Sequence, residues 1–210
     1  MEEIKVFVVG AATYYASWIK NHKLVDNLEE ADVVLFTGGE DVDPSMYGKK
    51  KHPRTFCNLA RDLEEKEVFD KIKDNQLALG ICRGSQFLCV MNGGLLVQDC
   101  TNHAIGETHA ISNREISVEI TSTHHQMQYP FNLNKGKDYD ILYWASPKRS
   151  HWYEGDGIDI PSCEPEVVHY HVEGKPKCLA IQGHPEMMRE ESPVIELLND
   201  LLTQCLTDVR

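Results

Sequence analysis

Gly80-Ile81-Cys82-Arg83-Gly84-Ser85-Gln86 follows an apolar run, Gln76-Leu77-Ala78-Leu79, that reads as a buried strand. It precedes Phe87-Leu88-Cys89-Val90-Met91, which reads as a buried helix stopped by Asn92-Gly93-Gly94. Cys82 therefore sits where a strand turns sharply into a helix. A turn that tight needs residues without a bulky Cβ two places to either side, and Gly80 and Gly84 occupy those places. This is the nucleophile-elbow layout with Cys where Ser is commoner. The helix N-terminus favours a thiolate there, through its dipole and its free N–H groups. The plain alternative is a structural Cys in a glycine-rich turn, so the rest of the chain has to decide.

Working towards the N-terminus, Ile4-Lys5-Val6-Phe7-Val8-Val9-Gly10 reads as a first strand. Residues 13–20 suggest a short helix before a weak stretch, Lys23-Leu24-Val25-Asp26. Asp32-Val33-Val34-Leu35-Phe36 is continuously apolar after its Asp, as expected of a strand covered on both faces. It runs into Thr37-Gly38-Gly39-Glu40-Asp41-Val42-Asp43-Pro44, a loop beyond a strand's C-terminal end, where open α/β sheets bind ligands. Asn58 is placed to cap a helix reaching about Lys73, with Leu59, Leu63, Phe69 and Ile72 inward and Arg61, Asp62 and Glu65 solvated unless they border the site. Strands and helices in this alternation predict an α/β fold, a doubly wound and mostly parallel central sheet with helices on both faces.

Towards the C-terminus, Leu95-Leu96-Val97-Gln98 suggests a short strand, and His103 and His109 read as loop polar groups. Ile116-Ser117-Val118-Glu119-Ile120 alternates as a half-exposed strand and leads into Thr121-Ser122-Thr123-His124-His125-Gln126. Adjacent histidines on a strand point to opposite faces, and no carboxylate or Cys stands at ligand spacing beside them or beside His169 and His171, so no metal site is expected. Residues 131–163 read as an irregular edge or a substrate-facing flap, with Tyr139, Tyr143, Trp144, Trp152 and Tyr153 serving the core more than a binding platform. Glu166–Tyr170 and Lys177–Gln182 read as a strand pair turning at Gly174-Lys175-Pro176. The second strand ends in Gly183-His184-Pro185-Glu186. Ser192 and Pro193 then open a last helix with Ile195, Leu198, Leu201, Leu202 and Cys205 inward.

The 210 residues, with 41% hydrophobic and 26% charged content, are those of one ordinary globular domain, expected to span residues 1–210. A net charge of −12 argues against a nucleic-acid or anionic-membrane surface. No apolar run approaches a membrane span, and the acidic Met1-Glu2-Glu3 does not read as a signal peptide. Seven scattered cysteines without a Cys-x-x-Cys pair suit a reducing cytoplasm.

A thiol hydrolase needs a nucleophile, a base, a group that orients the base, and oxyanion donors. Cys82 supplies the first. His184 is the best base, since Pro185 keeps its backbone out of a helix at the sheet's end. Glu186, two residues on, is close enough to accept a hydrogen bond from the imidazole. The backbone N–H groups of Arg83 and Gly39 are the candidate oxyanion hole. Gln86, one turn past the nucleophile, is placed to face the same cavity.

Gly38-Gly39, the elbow and His184-Pro185-Glu186 stand in the order and spacing of class I glutamine amidotransferase domains, which share a flavodoxin-like sheet. The chain is most similar to the γ-glutamyl hydrolase branch of that family (the γ-glutamyl-GABA hydrolase-like proteins). The similarity lies in Gly38-Gly39-Glu40-Asp41-Val42-Asp43-Pro44-Ser45-Met46-Tyr47-Gly48, in Arg61-Asp62 with Glu65, and in Ser122-Thr123-His124-His125-Gln126. The resemblance covers about residues 33–190. It implies a Cys82–His184–Glu186 triad that attacks a γ-glutamyl amide, releases ammonia or an amine, and hydrolyses a glutamyl thioester. It also implies substrate binding by Gln86, Ser122, His124, His125 and Gln126, with the backbone around His125 and Gln126 holding the glutamyl group. No metal or organic cofactor is required by this chemistry. Two departures stand out. The stretch between Gly10 and Asp32 lacks a convincing helix–strand unit, which puts the sheet's edge in doubt. Gly183 stands where the family usually has tryptophan, which would open or loosen the pocket. Three readings follow: a free-standing γ-glutamyl hydrolase, a glutaminase subunit passing ammonia to a separate synthetase, and a non-catalytic relative, against which the intact Cys82, His184 and Glu186 argue.

Overall fold

Val33–Phe36 and Leu77–Ile81 are apolar or glycine at every position because both faces of the sheet they build are covered. In the computed structural model, which describes residues 3–209, Val33, Leu35, Leu77, Leu79 and Ile81 enter one core. Their alternating neighbours Val34, Phe36 and Ala78 enter a second core on the other face. The strands are β1 (Ile4–Val9), β2 (His22–Leu24), β3 (Val33–Phe36), β4 (Leu77–Ile81), β5 (Leu95–Val97), β6 (Asp99–Cys100), β7 (Ala104–Ser112), β8 (Ser117–Thr123), β9 (Met127–Tyr129), β10 (Tyr139–Ala145), β11 (Tyr153–Glu154), β12 (Pro165–Tyr170) and β13 (Cys178–Ile181). The α-helices are α1 (Leu59–Phe69), α2 (Arg83–Met91) and α3 (Pro193–Val209).

Nine strands form the central sheet in the order β2-β1-β3-β4-β13-β12-β10-β7-β8. From β2 to β13 the pairing is parallel, and from β13 to β8 it is antiparallel. The doubly wound α/β architecture expected of the sequence is present, and the parallel part carries the strand-to-helix elbow. One face is covered by α3, which buries Ile195, Leu198, Leu202 and Leu206. Each such side chain is worth about 1.5–3 kcal/mol of burial. The other face is covered by α2 and by Phe69 of α1.

Four expectations are corrected. The doubtful N-terminal stretch supplies a 3₁₀ turn, Thr13–Ala16, and the edge strand β2, paired parallel to β1. Residues 131–163 are not a flap throughout, because Tyr139–Ala145 is an interior strand of the large sheet with Tyr139 and Tyr143 buried. The helix capped by Asn58, whose side chain accepts the Arg61 N–H, ends at Phe69 rather than near Lys73. Its phase also differs: Leu59 and Leu63 face solvent, whereas Asp62 and Glu65 are buried. The reason is Arg83, itself buried, whose guanidinium takes Asp62 on one nitrogen and Glu65 on the other. A buried guanidinium requires carboxylates around it, and α1 turns its acidic face inward to provide them.

Candidate active site

Cys82 follows β4 directly and caps α2 with φ 51° and ψ −109°, a conformation that a non-glycine residue adopts only under constraint. Two close approaches impose it. A Cβ on Gly80 would lie 2.5 Å from the Gly84 carbonyl oxygen, and a Cβ on Gly84 would strike the Phe36 carbonyl of β3. The Cys82 N–H donates to the Ile181 carbonyl at 2.8 Å, tying the elbow to β13. Arg83, first in the helix, has no intrahelical acceptor for its N–H. Its side chain points away from the thiol into the Asp62–Glu65 pair. Burial is the largest influence on Asp62 and leaves its carboxyl above the usual range despite the Asp43 N–H and Arg83.

His184 reaches the same sheet end because β13 pairs parallel with β4, Ile181 opposite Ile81. Nδ1 donates to Glu186 Oε1 at 2.6 Å, which leaves Nε2, buried and without an aligned partner, as the nitrogen free to interact with Cys82. Burial alone would lower the imidazole pKa. Cys82 and Glu186 together outweigh it and lift the pKa to about 10. The three residues expected to form the triad are therefore together. Tyr15, which sequence reasoning missed, packs on the His184 ring at 6.2 Å between centroids, with its hydroxyl against Gly38. Burial, its bond with Tyr14, and the Glu186 and Cys82 charges keep that hydroxyl protonated.

The Gly38-Gly39 loop, expected to supply the second oxyanion donor, is held by Arg61. Its Nη2 donates to the Gly38 carbonyl at 3.0 Å and to the Thr37 carbonyl at 3.3 Å, while Nε donates to Glu65 at 2.8 Å. A trans peptide points its N–H opposite its carbonyl, so the Gly39 N–H is turned away from Arg61. It has no acceptor among the described residues. Gly39 has φ +139°, and a side chain there would collide with the guanidinium.

Gln86 and Gln126 are brought together: Gln86 Nε2 donates to the Gln126 carbonyl at 3.0 Å, and Gln126 Nε2 donates to Thr55 Oγ1 at 3.1 Å. His125 lies between Asp41 at 3.2 Å and Asp99 at 3.3 Å. Ser122 and His124 are not brought to this group by their side chains. Ser122 Oγ donates to the His103 carbonyl at 2.6 Å, and His124 is buried against His103 and Glu166. His103 and His109, read from sequence as loop polar groups, are buried as well, and His109 lies within β7. Gly183 does not open the pocket. A Cβ there would lie 2.7 Å from Ile120 Cδ1 and 2.9 Å from the Thr121 carbonyl oxygen, so β8 already fills the space.

A sequence profile described as Peptidase C26 matches residues 8–138, which include the elbow and the Gly38-Gly39 loop. The chain belongs to the Peptidase C26 family. Protein NtpR of Enterococcus hirae is 36% identical over 190 residues, covering 84% of this chain and 76% of that one. The glutamine amidotransferase-like protein YvdE of Lactococcus lactis is 28% identical over 176 residues, covering 80% and 71%. Among solved structures, a glutamine amidotransferase of Thermotoga maritima superposes with a TM-score of 0.54 at 16% identity, covering 100% of this chain and 91% of its own. A chain of the PurLQS structure from the same organism gives 0.52 at 15%, covering 100% of both chains. At such identities the structures establish a shared fold. The Peptidase C26 membership and the glutamine amidotransferase-like relatives make hydrolytic chemistry the frame for the site. No helix among the described residues is long and apolar enough to cross a membrane.

Proposed function

We propose that this Peptidase C26 protein is a free-standing cysteine hydrolase of γ-glutamyl amides. The observation that carries the reading is the strained Cys82 elbow beside the His184–Glu186 pair, delivered by two hydrogen-bonded parallel strands. Cys82 Sγ attacks the γ-carbonyl carbon as a thiolate, with imidazolium beside it. The oxygen becomes an oxyanion that accepts from the Arg83 and Gly39 N–H groups. His184 gives its proton to the departing nitrogen, the C–N bond breaks, and ammonia or an amine leaves. A glutamyl thioester remains. His184, now neutral, takes a proton from water as that water attacks the thioester; the C–S bond breaks, glutamate departs and the thiolate–imidazolium pair is restored. Glu186 holds the Nδ1–H tautomer throughout. The pairing of Gln86 with the backbone of Gln126 supports a glutamyl-binding role for that loop.

One observation favours a second reading. Cys82 is only 8% exposed and His184 4%, as suits a glutaminase subunit that opens when a synthetase partner docks. Glutamate release from glutamine and from a panel of γ-glutamyl amines separates the two. The hydrolase reading expects unaided release from at least one amine, abolished by Cys82→Ser and retained by Cys89→Ser, whose thiol burial pushes up to about 12. Silence on every substrate, with Cys82 still alkylated by a glutamine-like chloroketone, would replace it with the subunit reading.

A further inference from the structure

Away from the thiol, three imidazoles converge on one carboxylate. His103 precedes β7, His109 lies within it, His124 follows β8 and Glu166 is on β12. Their side chains are at most 1% exposed. His124 Nδ1 lies 2.8 Å from the Gln126 carbonyl. A carbonyl only accepts, so Nδ1 carries the hydrogen and Nε2 presents a bare lone pair. That Nε2 is 3.7 Å from Glu166 Oε1, and His103 Nδ1 is 3.5 Å from the same oxygen. His109 Nε2 donates to Glu166 Oε1 at 2.9 Å and fixes the carboxylate.

The polar accounting of this cluster does not close. His124 Nε2, both ring nitrogens of His103 and Glu166 Oε2 are buried without a hydrogen-bond partner. His103 Nε2 comes within 3.3 Å of Glu164 without hydrogen-bonding alignment. A neutral His103 carries its hydrogen on one ring nitrogen; with that hydrogen on Nε2, towards Glu164, the lone pairs of His103 Nδ1, His124 Nε2 and Glu166 are left for a cation to take. The donor atoms of His103, His124 and Glu166 all lie within 4.8 Å of one another. Ligand atoms around a tetrahedral zinc ion stand about 3.3 Å apart, given bonds of ~2.0–2.1 Å. The two distances to Glu166 are already near that value. Nitrogen and carboxylate donors suit a borderline transition metal, and the bonds to Gln126 and from His109 are the outer partners that orient metal ligands.

We infer that His103, His124 and Glu166 form a buried site for a divalent transition-metal ion of the zinc type. The ion joins β12 to the segments flanking β7 and β8. It also fixes the loop whose Gln126 carbonyl receives Gln86, one turn beyond the nucleophile. Its role is structural, and the inference stands whether or not the hydrolase reading does.

The test uses the full chain without a polyhistidine tag, carrying Cys82→Ser so that the thiol–imidazole pair cannot supply a second site. Metal content is measured on the protein as purified. The protein is then stripped by chelator in mild denaturant and titrated with Zn²⁺ and Co²⁺. Expected are ~1 equivalent per chain, a higher Tm with Zn²⁺, and cobalt ligand-field absorption without thiolate charge transfer. His109→Gln, which leaves all three ligands in place, should weaken Zn²⁺ affinity about 10–100-fold. Glu166→Gln should abolish uptake; if that variant does not fold, the titration of stripped protein and His109→Gln decide. Neither uptake nor a Tm shift on adding Zn²⁺ would overturn the site and leave a buried hydrogen-bond cluster. Thiolate-to-cobalt absorption would overturn it too, by moving the ion to a cysteine.

Discussion

His184 has a neighbour on each side of its ring, and each does something different. In the proposed hydrolysis Cys82, on the Nε2 side, exchanges a proton with it, whereas Glu186 on the Nδ1 side only holds it. His184→Ala should therefore lose nearly all glutamate release, and Glu186→Gln less, because an amide still positions the ring without stabilising imidazolium as well. Steady-state kcat/KM on the preferred substrate checks the order; equal losses would mean that Glu186 takes part in proton transfer. The same contacts carry a stability prediction. Burial works against the charged ring, but Cys82 and Glu186 raise its pKa to about 10, above the ~6.5 of an unfolded histidine. The folded state then holds the proton more tightly. The stabilisation is complete below about pH 6.5 and is lost as pH rises through about 10. The Tm difference between wild type and His184→Gln should narrow across that interval, and a constant difference would remove the imidazolium from the account. The Cys82 elbow and the His184–Glu186 contact were legible in sequence because each is local: a cysteine between two glycines, and a histidine two residues from a carboxylate. Tyr15 was not legible, since nothing in Thr13-Tyr14-Tyr15-Ala16 shows that a short 3₁₀ turn will lay one ring on His184.

The elbow is a junction of elements, and α1 braces it from behind. Asp62 and Glu65 hold the Arg83 side chain, and Arg61 on the same helix holds the Gly38-Gly39 loop. One helix thus positions the residues behind both proposed oxyanion donors, the Arg83 and Gly39 N–H groups. Arg83→Met would leave Asp62 buried without a cation and Glu65 with Arg61 alone, a loss of about 3–5 kcal/mol where a buried pair is broken from one side. Chemical denaturation should show it as a lower midpoint. Replacing Asp62 and Glu65 by Asn and Gln in the same chain should recover part of the loss. A surface-like effect below ~0.5 kcal/mol would mean that the network is solvated. Helix periodicity gave α1 the wrong phase for the same reason that the network matters. Leu59 and Leu63 look like the inner face until the buried partner of Asp62 and Glu65 is known, and that partner lies some twenty residues away in another element. The histidine cluster was hidden likewise. His124 has no carboxylate beside it in sequence, and the fold brings Glu166 to it across the sheet.

At the scale of the whole molecule, the antiparallel part of the sheet bends back on the parallel part. β8 is the last strand in pairing order, yet Ile120 shares a core with Ile181 of β13 and Leu198 of α3. The Thr121 carbonyl accepts the His184 N–H at 3.0 Å. The far edge of the sheet therefore closes against the strand end that carries His184, and Gly183 is the position that admits it. The resemblance suggested an opened pocket here, whereas Ile120 and the Thr121 carbonyl of β8 occupy the space beside Gly183. Gly183→Ala would press a methyl group 2.7 Å from Ile120 Cδ1 and 2.9 Å from the Thr121 oxygen, with an overpacking cost of about 1–3 kcal/mol. Ile120→Ala removes the first clash and leaves the second. The cost of Gly183→Ala should then be smaller in the Ile120→Ala background, with a coupling of about 0.5–3 kcal/mol in a double-mutant cycle read by denaturation. Glutamate release should follow the same pattern, because the strand displaced by the methyl group is the one that holds the His184 backbone. Additive costs would mean that β8 does not rest on Gly183, and the bend that closes the sheet over His184 would have to be held elsewhere.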